Sequence, residues 1–557
     1  MIISKYKNKN TVYVSWRNEK GEKQELFNDF IPYFYIDSNA PRPTNYPISK
    51  FLDGEFTYVE GDWVNLEGQS LVRCYYEKHS DRNAKDAHAK TYEADVPYHF
   101  RYCVDELKSL HEYPMRKWYW DMEWQQGGEH DGAITAIVTF DNYSKTFYQF
   151  VWCPNNEFSG DIYKELSIEN YETKFLCFTN EKDMINGFLF LMVNHDPDML
   201  IAWFGLKFDL PKLLERCVVH DIDARKISPI GEIKGFTKSN GYHFAYAEKG
   251  YSPIEQPIGG RITLNLDLAF ERQWNDSQRG TLPSLSLEYV SQTLFGEGKH
   301  AETKFEDPNE FYRRAWLEDS VAYFQYALQD VELLRKIDET NFTSEAIISL
   351  QRLLVAPFDA CFYASHMGSI YFMRNADWKA PTGNKDIVRE EYEGAMIYDP
   401  LSEQTQGLHL NVAAFDFAGL YPSMMIARNI SWETKSSKPT ELGVNILTPR
   451  DFSLASEQKM LYYKTDKLGL LPRAVLELKE LRNDYKQKMR EARENNTGEY
   501  QKWYNNQMAV KRLMASFYGI VAFQGFGWAD VDLAASITAS AREAIRTAAF
   551  VAKGMEE

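Results

Sequence analysis

The sequence is poor in cysteine: six in 557 residues, scattered, with no CxxC pair. That argues against a disulfide scaffold and a thiolate zinc site, and fits a reducing, cytoplasmic compartment. Long apolar runs are also missing. Residues 187–193 are typical of the longest, well below the roughly 18 residues of a membrane span, so no membrane partner is expected. The opening MIISKYKNKN lacks the apolar core of a secretory signal. There is no internal repeat and no low-complexity tract. Positive charge is in deficit, 63 Lys and Arg against 80 Asp and Glu, for a net charge of −17. That balance argues against phosphate binding over the whole surface. One segment departs from it: residues 464–516 carry twelve Lys or Arg and seven Asp or Glu. Such a chain can hold a polyanion at its basic segment and metals at its carboxylates.

With 44% apolar and 15% aromatic residues, the chain has material for several cores, and its length predicts about three or four domains. Residues 1–110 alternate short β-like runs with turn clusters and read as a small β-rich domain. From 111 to 340, strands (117–124, 133–140, 199–204) alternate with helices (210–216), the pattern of an α/β layer fold. Residues 311–374 are rich in helix. A third unit begins near 390, with a strand expected at 410–417 and a short helix after a tight turn at 422–428. The helices 473–494 and 499–517, broken by Asn495-Asn-Thr-Gly498, form an αα-hairpin.

Asp121 and Glu123 sit two apart on an aromatic strand, so their side chains share one face. Two carboxylates in apolar surroundings are costly unless a cation joins them. Alone, D-x-E is a weak pattern in a chain with 80 acids. Asp209 lies at a strand-to-helix junction, where an N-cap is the plain alternative. Tyr326 and Asp330 share a helix face at i and i+4, where a solvated helix edge is the plain alternative. Together, four acids and a tyrosine can assemble a two-metal site for in-line phosphoryl displacement, with the hydroxyl orienting a water.

Asp416-Phe-Ala-Gly-Leu-Tyr-Pro-Ser423 is the most specific stretch. A strand end, a glycine turn and a helix-start proline present Asp416 to a metal, and the N–H groups of Gly419, Leu420 and Tyr421 to an anion. A plain strand–turn–helix corner stands beside that reading. This stretch resembles motif A of family B DNA polymerases, D-x-x-S-L-Y-P-S, with Gly419 in the serine position. Asp121 and Glu123 then resemble the first exonuclease motif, Phe208 and Asp209 the second, and Tyr326-Ala-Leu-Gln-Asp330 the third. Tyr392-Glu-Gly-Ala395 is similar to the Y-x-G-G/A link. Lys511-Arg-Leu-Met-Ala-Ser-Phe-Tyr-Gly519 resembles motif B, and Phe295-Gly-Glu-Gly-Lys299 is also similar to the family. Two positions depart from the pattern: Phe204 and Ala515 stand where the family has asparagine.

The resemblance implies a multidomain α/β and α+β fold. Its parts are a β-rich N-terminal domain (1–110), an RNase H-like 3′→5′ exonuclease domain (111–340), a helical connection (341–390), a palm (391–470), helical-hairpin fingers (471–519) and a palm continuation (520–557). It implies a DNA-directed DNA polymerase with proofreading, two-metal Mg²⁺ sites, and DNA primer-template, single-stranded DNA and dNTPs as partners. Asp121, Glu123, Asp209, Asp330 and Asp416 are the implied metal ligands, with Tyr326 beside them. Arg482, Lys486 and Lys511 would grip the triphosphate, with Tyr518 on the same face. Tyr421 would exclude a 2′-hydroxyl, and Tyr392 and Gly394 would contact DNA.

The family's second palm aspartate lies in a D-T-D motif that this sequence lacks; the chain continues 38 residues past Gly519. Ala535-Ser-Ile-Thr-Ala-Ser-Ala-Arg542 is similar to the helix that precedes that motif. The expectation is a split or truncated polymerase, completed by a second polypeptide carrying motif C and the thumb. The alternative is a stand-alone 3′→5′ exonuclease with a non-catalytic DNA-binding C-terminal half.

Overall fold

The computed structural model describes all residues except 7–9, 51, 79–81, 154–165, 246–255, 277–280, 300–302, 385, 387–388, 397–406, 409, 413–415, 448–457 and 553–557. Two compact units result, each built from two separate stretches: Met1–Phe30 with Leu107–Phe362, and Ile31–Glu106 with Tyr363–Glu557. The stretch 1–110, expected as one β-rich domain, is therefore divided. The reason is visible in its first strands. Arg17 on Thr11–Arg17 pairs with Asp198 at 2.7 Å, both buried, and Lys23 reaches Asp196 at 3.0 Å. Buried charges stay where their partners are, which fastens this meander to the first unit.

The first unit is organised by a six-stranded sheet. In spatial order its strands are Glu172–Phe178, Thr146–Trp152, Ile134–Asp141, Lys117–Trp124, Met199–Ala202 and Ile262–Asn265. Lys117–Trp124 lies inside the sheet, antiparallel to Ile134–Asp141 and parallel to Met199–Ala202. Trp118, Trp120 and Met122 of this strand, with Phe188 and Leu214 from helices, fill one core. Trp316, Tyr323 and Phe324 fill a second. Tyr119 on the central strand also reaches Asp338 at 2.7 Å. The helices Pro308–Glu318 and Ser320–Asn341 are separated by Asp319 alone.

In the second unit, strands Tyr33–Asp37, Thr57–Val64 and Ser70–Tyr75 make one small sheet. Lys435–Ser436, Leu442–Leu447 and Gln458–Tyr463 make another. Phe372, Trp432, Trp528 and Phe517 stack into an aromatic centre with ring separations of 4.9–5.4 Å. The helices Leu470–Glu494 and Tyr500–Ala522 pack along each other as the expected hairpin. The short helix is Leu420–Ala427.

One expected strand lies partly outside the described residues. The strand at 410–417 is irregular over its described residues, and residues 413–415 lie outside them. Leu410 is 78% exposed and Val412 73%. An alternating apolar run becomes a strand only when a neighbour pairs with it, and none of the described strands does so. No described helix is long and apolar enough to cross a membrane. All six cysteines are free thiols.

Candidate exonuclease and nucleotide sites

In the first unit, strand pleating puts Asp121 and Glu123 on one face, and register sets them opposite Val138 and Ala136. A bulge at Thr135 breaks the ladder beside Glu123; the Thr135 hydroxyl donates to the Glu123 carbonyl at 3.1 Å. Bulges of this kind redirect side chains next to functional sites. From the helix Ser320–Asn341, Asp330 completes a cluster: carboxylate oxygens of Asp121, Glu123 and Asp330 lie within 4.8 Å of one another.

Asp209 opens the helix Asp209–Val219 without capping it; its carboxylate accepts the N–H of Met122, between the two strand acids, at 3.2 Å. It is buried and adjoins the three-acid cluster without being one of its members. Thus sequence spacing located four acids, and the fold converges three of them with the fourth beside them.

Burial pushes the Asp121 carboxyl up to about 7, helped by the charge of Asp330. Glu123 and Asp209 are raised for the same first reason, with Asp121 adding to both. Burial also raises Asp330, although Lys299 pulls against it. Asp330 Oδ1 is buried with no hydrogen-bond partner. A set of hard oxygen donors, crowded and with an orphaned oxygen, suits Mg²⁺ or a similar divalent cation.

Lys299 is the residue whose place the sequence did not show. Its Nζ sits 2.5 Å from Asp330 Oδ2 and 3.2 Å from the Tyr326 hydroxyl. Burial opposes the lysine charge, yet Asp330 and Asp121 hold the ammonium above its usual value. The signal was the Phe295-Gly-Glu-Gly-Lys299 segment, but nothing in its spacing pointed at the acids. Tyr312, with its hydroxyl 2.9 Å from that of Tyr326, carried no sequence signal.

Phe204 adopts a left-handed backbone, φ 57°. Asparagine takes that conformation more readily than phenylalanine, which gives the departure from the family pattern a physical cost. The Phe204 N–H is held by Asp267 Oδ1 at 3.2 Å, and the turn into Asp209 survives.

In the second unit, Gly419 stands at φ 75°, ψ 60° ahead of Leu420–Ala427, a conformation that penalises any side chain. Glycine in the serine position is therefore matched to this turn. Pro422 sits in the first turn of the helix. Asp416 is exposed, and among the described residues it belongs to no group of three metal-capable side chains. A single carboxylate does not fit a two-metal site.

Tyr421 and Tyr518 meet at 4.6 Å between ring centroids, and the Tyr518 and Tyr392 hydroxyls are 2.9 Å apart. Burial raises both Tyr421 and Tyr518. The Gly394 carbonyl accepts from Arg542 Nη1 at 2.6 Å, as the Glu393 carbonyl does at 2.7 Å. Gly394 is therefore tied to the helix Val531–Ala552. Across the hairpin, Arg482 Nε donates to Gln507 Oε1 at 3.2 Å. Burial lowers Lys486, and the charges of Arg482, Arg490 and Lys511 lower it further. Four cations that repel one another make a place for a polyanion. Lys511 and Ala515 share the exposed face of the second helix, so alanine leaves no amide at that point.

A buried carboxylate cluster in one unit and a cationic helical hairpin in the other are what the resemblance to family B DNA polymerases implies. Comparison with known proteins agrees: residues 359–557 match the model of DNA polymerase family B, and residues 75–266 match that of the family B exonuclease domain. The chain belongs to DNA polymerase family B. It is 27% identical to a DNA polymerase of Pyrococcus glycovorans over 68% of this chain and 45% of that protein. It is 25% identical to one from Thermococcus gorgonarius over 82% of this chain and 54% of that protein. The chain thus spans about half the length of these curated relatives. The solved family B DNA polymerase of Pyrobaculum calidifontis matches 99% of this chain and 71% of its own, with TM-score 0.70 and 18% identity, a likeness of fold.

Proposed function

We propose that the first unit is a Mg²⁺-dependent 3′→5′ exonuclease acting on single-stranded DNA ends. The observation that carries this reading is the convergence of Asp121, Glu123 and Asp330, with Asp209 buried alongside. These four acids would hold the metal. When bound, divalent cations supply charge neutralisation and a more acidic water for in-line displacement at phosphorus. The chain's own part is to keep the acids fixed, to balance them with Lys299, and to place the Tyr326 hydroxyl at the rim of the cluster. The test is degradation of a 5′-labelled oligonucleotide with and without Mg²⁺. A purified chain that leaves the 3′ end intact with Mg²⁺ present ends the reading.

For the second unit, the proposal is a nucleotide- and primer-template-binding part of a DNA-directed DNA polymerase. Arg482, Lys486 and Lys511 receive the triphosphate, with Tyr518 beside them. Tyr421 crowds the sugar, Gly419 and Leu420 lend backbone N–H groups, and Tyr392 and Gly394 face DNA. Nucleotidyl transfer needs a second carboxylate beside Asp416. The family's D-T-D motif, which these 557 residues lack, would supply it. Template-directed extension with Asp416 as the lone palm carboxylate would show that no such motif is needed.

The assembled acids of the first unit, set against the solitary Asp416, also favour a second reading. In it the chain is an exonuclease whose C-terminal half binds DNA without catalysis. Extension that depends on Asp416 separates the two.

A further inference from the structure

The stretch 389–396 carries Tyr392 and belongs to no helix or strand, so its place is set by whatever holds it. Two anchors do so. Before Tyr392, Glu390 and Gln524 exchange hydrogen bonds. The Glu390 N–H donates to Gln524 Oε1 at 2.7 Å, and Gln524 Nε2 donates to the Glu390 carbonyl at 2.6 Å. After Tyr392 stands Arg542, on the helix Val531–Ala552. Its Nη1 donates to the carbonyls of Glu393 and Gly394 at 2.7 and 2.6 Å, and its Nη2 lies 2.9 Å from Glu393 Oε2. One turn earlier on the same helix, the Thr538 hydroxyl donates to the Glu393 carbonyl at 2.7 Å.

The choice of arginine suits that task. A guanidinium presents its donors in a rigid planar fork and holds two carbonyls and a carboxylate at once, where an ammonium is a point charge on a flexible stem. Arg542 is buried. Burial works against its charge, and Glu393 works for it. Among the described residues its hydrogen bonds go to Glu393 and Gly394. From that segment the contacts lead to the nucleotide face. The Tyr392 hydroxyl lies 2.9 Å from that of Tyr518, a bond that links the two rings whichever oxygen donates, and the Tyr518 ring meets Tyr421 at 4.6 Å.

We propose, resting on the nucleotide-binding reading of the second unit, that Arg542 is a positioning residue for sugar selection: by clamping the carbonyls of Glu393 and Gly394 it fixes Tyr392, which holds Tyr518, which in turn sets the Tyr421 ring against the sugar. Arg542 touches no nucleotide in this scheme. It removes the freedom of an irregular segment whose one hydroxyl reaches the second hairpin helix. With the clamp released, Tyr392 drifts, Tyr518 loses its hydroxyl partner, and the Tyr421 ring gains room to yield to a 2′-hydroxyl. The triphosphate seat at Arg482, Lys486 and Lys511 is left as it was.

The test is equilibrium binding of ATP and of dATP to four proteins: the native chain, Arg542→Gln, Tyr392→Phe and the double variant, with thermal unfolding measured beside it. Each single variant should move the ratio of the two Kd values toward ATP by about twofold. The double variant should move it no further, because Arg542 acts only through Tyr392. Arg542→Lys, which keeps the charge and the reach to one carbonyl, should fall between the native chain and Arg542→Gln. Equal weakening of ATP and dATP would make Arg542 a structural anchor alone and overturn the proposal, as would shifts that add. An unchanged ratio in Tyr392→Phe, which keeps the ring and loses only the hydroxyl, overturns it even where Arg542→Gln fails to fold. All of these leave the nucleotide-binding reading intact. A native chain that binds neither triphosphate overturns that reading as well.

Discussion

The two candidate sites solve opposite electrostatic problems. In the first unit, acids are crowded inside the protein and are raised by their own burial. Among the described residues, Lys299 is the cation paired with them. In the second, cations stand on a half-open helical face and repel one another. A buried like-charge cluster is costly in folding, so it is held by many contacts and is already formed. An exposed one costs little, because solvent screens it. It therefore needs no fixed geometry until its counter-charge arrives. The nuclease site should behave as a preformed centre, and the nucleotide site as one that its ligand completes.

The sharpest way to break that contrast is to empty the first site. Asp121→Ala with Glu123→Ala should lower Mg²⁺-dependent degradation by about a thousandfold, while thermal unfolding stays level or rises, since repulsion has been removed. The assay is 3′-end trimming beside calorimetry. A variant that trims at the native rate would mean the cluster is structural.

A smaller effect belongs to the second site. Lys486→Ala and Lys511→Ala should each weaken equilibrium binding of a deoxynucleoside triphosphate by about tenfold, more at low salt than at high. Binding that ignores salt would show that the cationic face is not the phosphate seat.

Proton linkage gives the third. With EDTA present, Asp121 holds its proton up to about 7 in the folded chain against 3.8 as the ordinary value. Below about pH 4 folded and unfolded chains are both protonated. As pH rises toward 7 the unfolded chain releases its proton first, so this carboxyl subtracts from stability across that window. Asp121→Asn should flatten the fall in unfolding temperature between pH 4 and 7, and Mg²⁺ should oppose it by binding the folded chain. Parallel curves for native and variant proteins would remove Asp121 from the cluster's titration.

The smallest change concerns Tyr421. Its ring lies against Tyr518, so Tyr421→Ala should open the sugar pocket and shift the ribo-to-deoxy binding ratio about threefold. An unaltered ratio would leave Tyr421 as a packing residue.

The sequence carried the local part of this architecture. Strand 117–124, the turn at Gly419 and both hairpin helices were legible because each follows from spacing over a few residues. Asp121 and Glu123 share a face by pleating alone. What spacing could not show was convergence: Lys299, Asp330 and Tyr312 meet only after the sheet and two helices are in place. The division of residues 1–110 between two units was hidden because Arg17 and Asp198 are 181 positions apart.

That division has a consequence for synthesis. Met1–Phe30 leaves the ribosome well before its partners, which extend to residue 362, and Gln351 Nε2 closes on the Met1 carbonyl at 3.0 Å. At about 5–20 residues per second, the opening strands spend on the order of tens of seconds without the surface they cover. Leu26 and Phe27 remain half exposed even afterwards. The nascent chain therefore carries a partly apolar β-meander until synthesis has passed residue 362. Expression temperature and elongation rate are thus expected to govern the yield of folded protein as strongly as its final stability does.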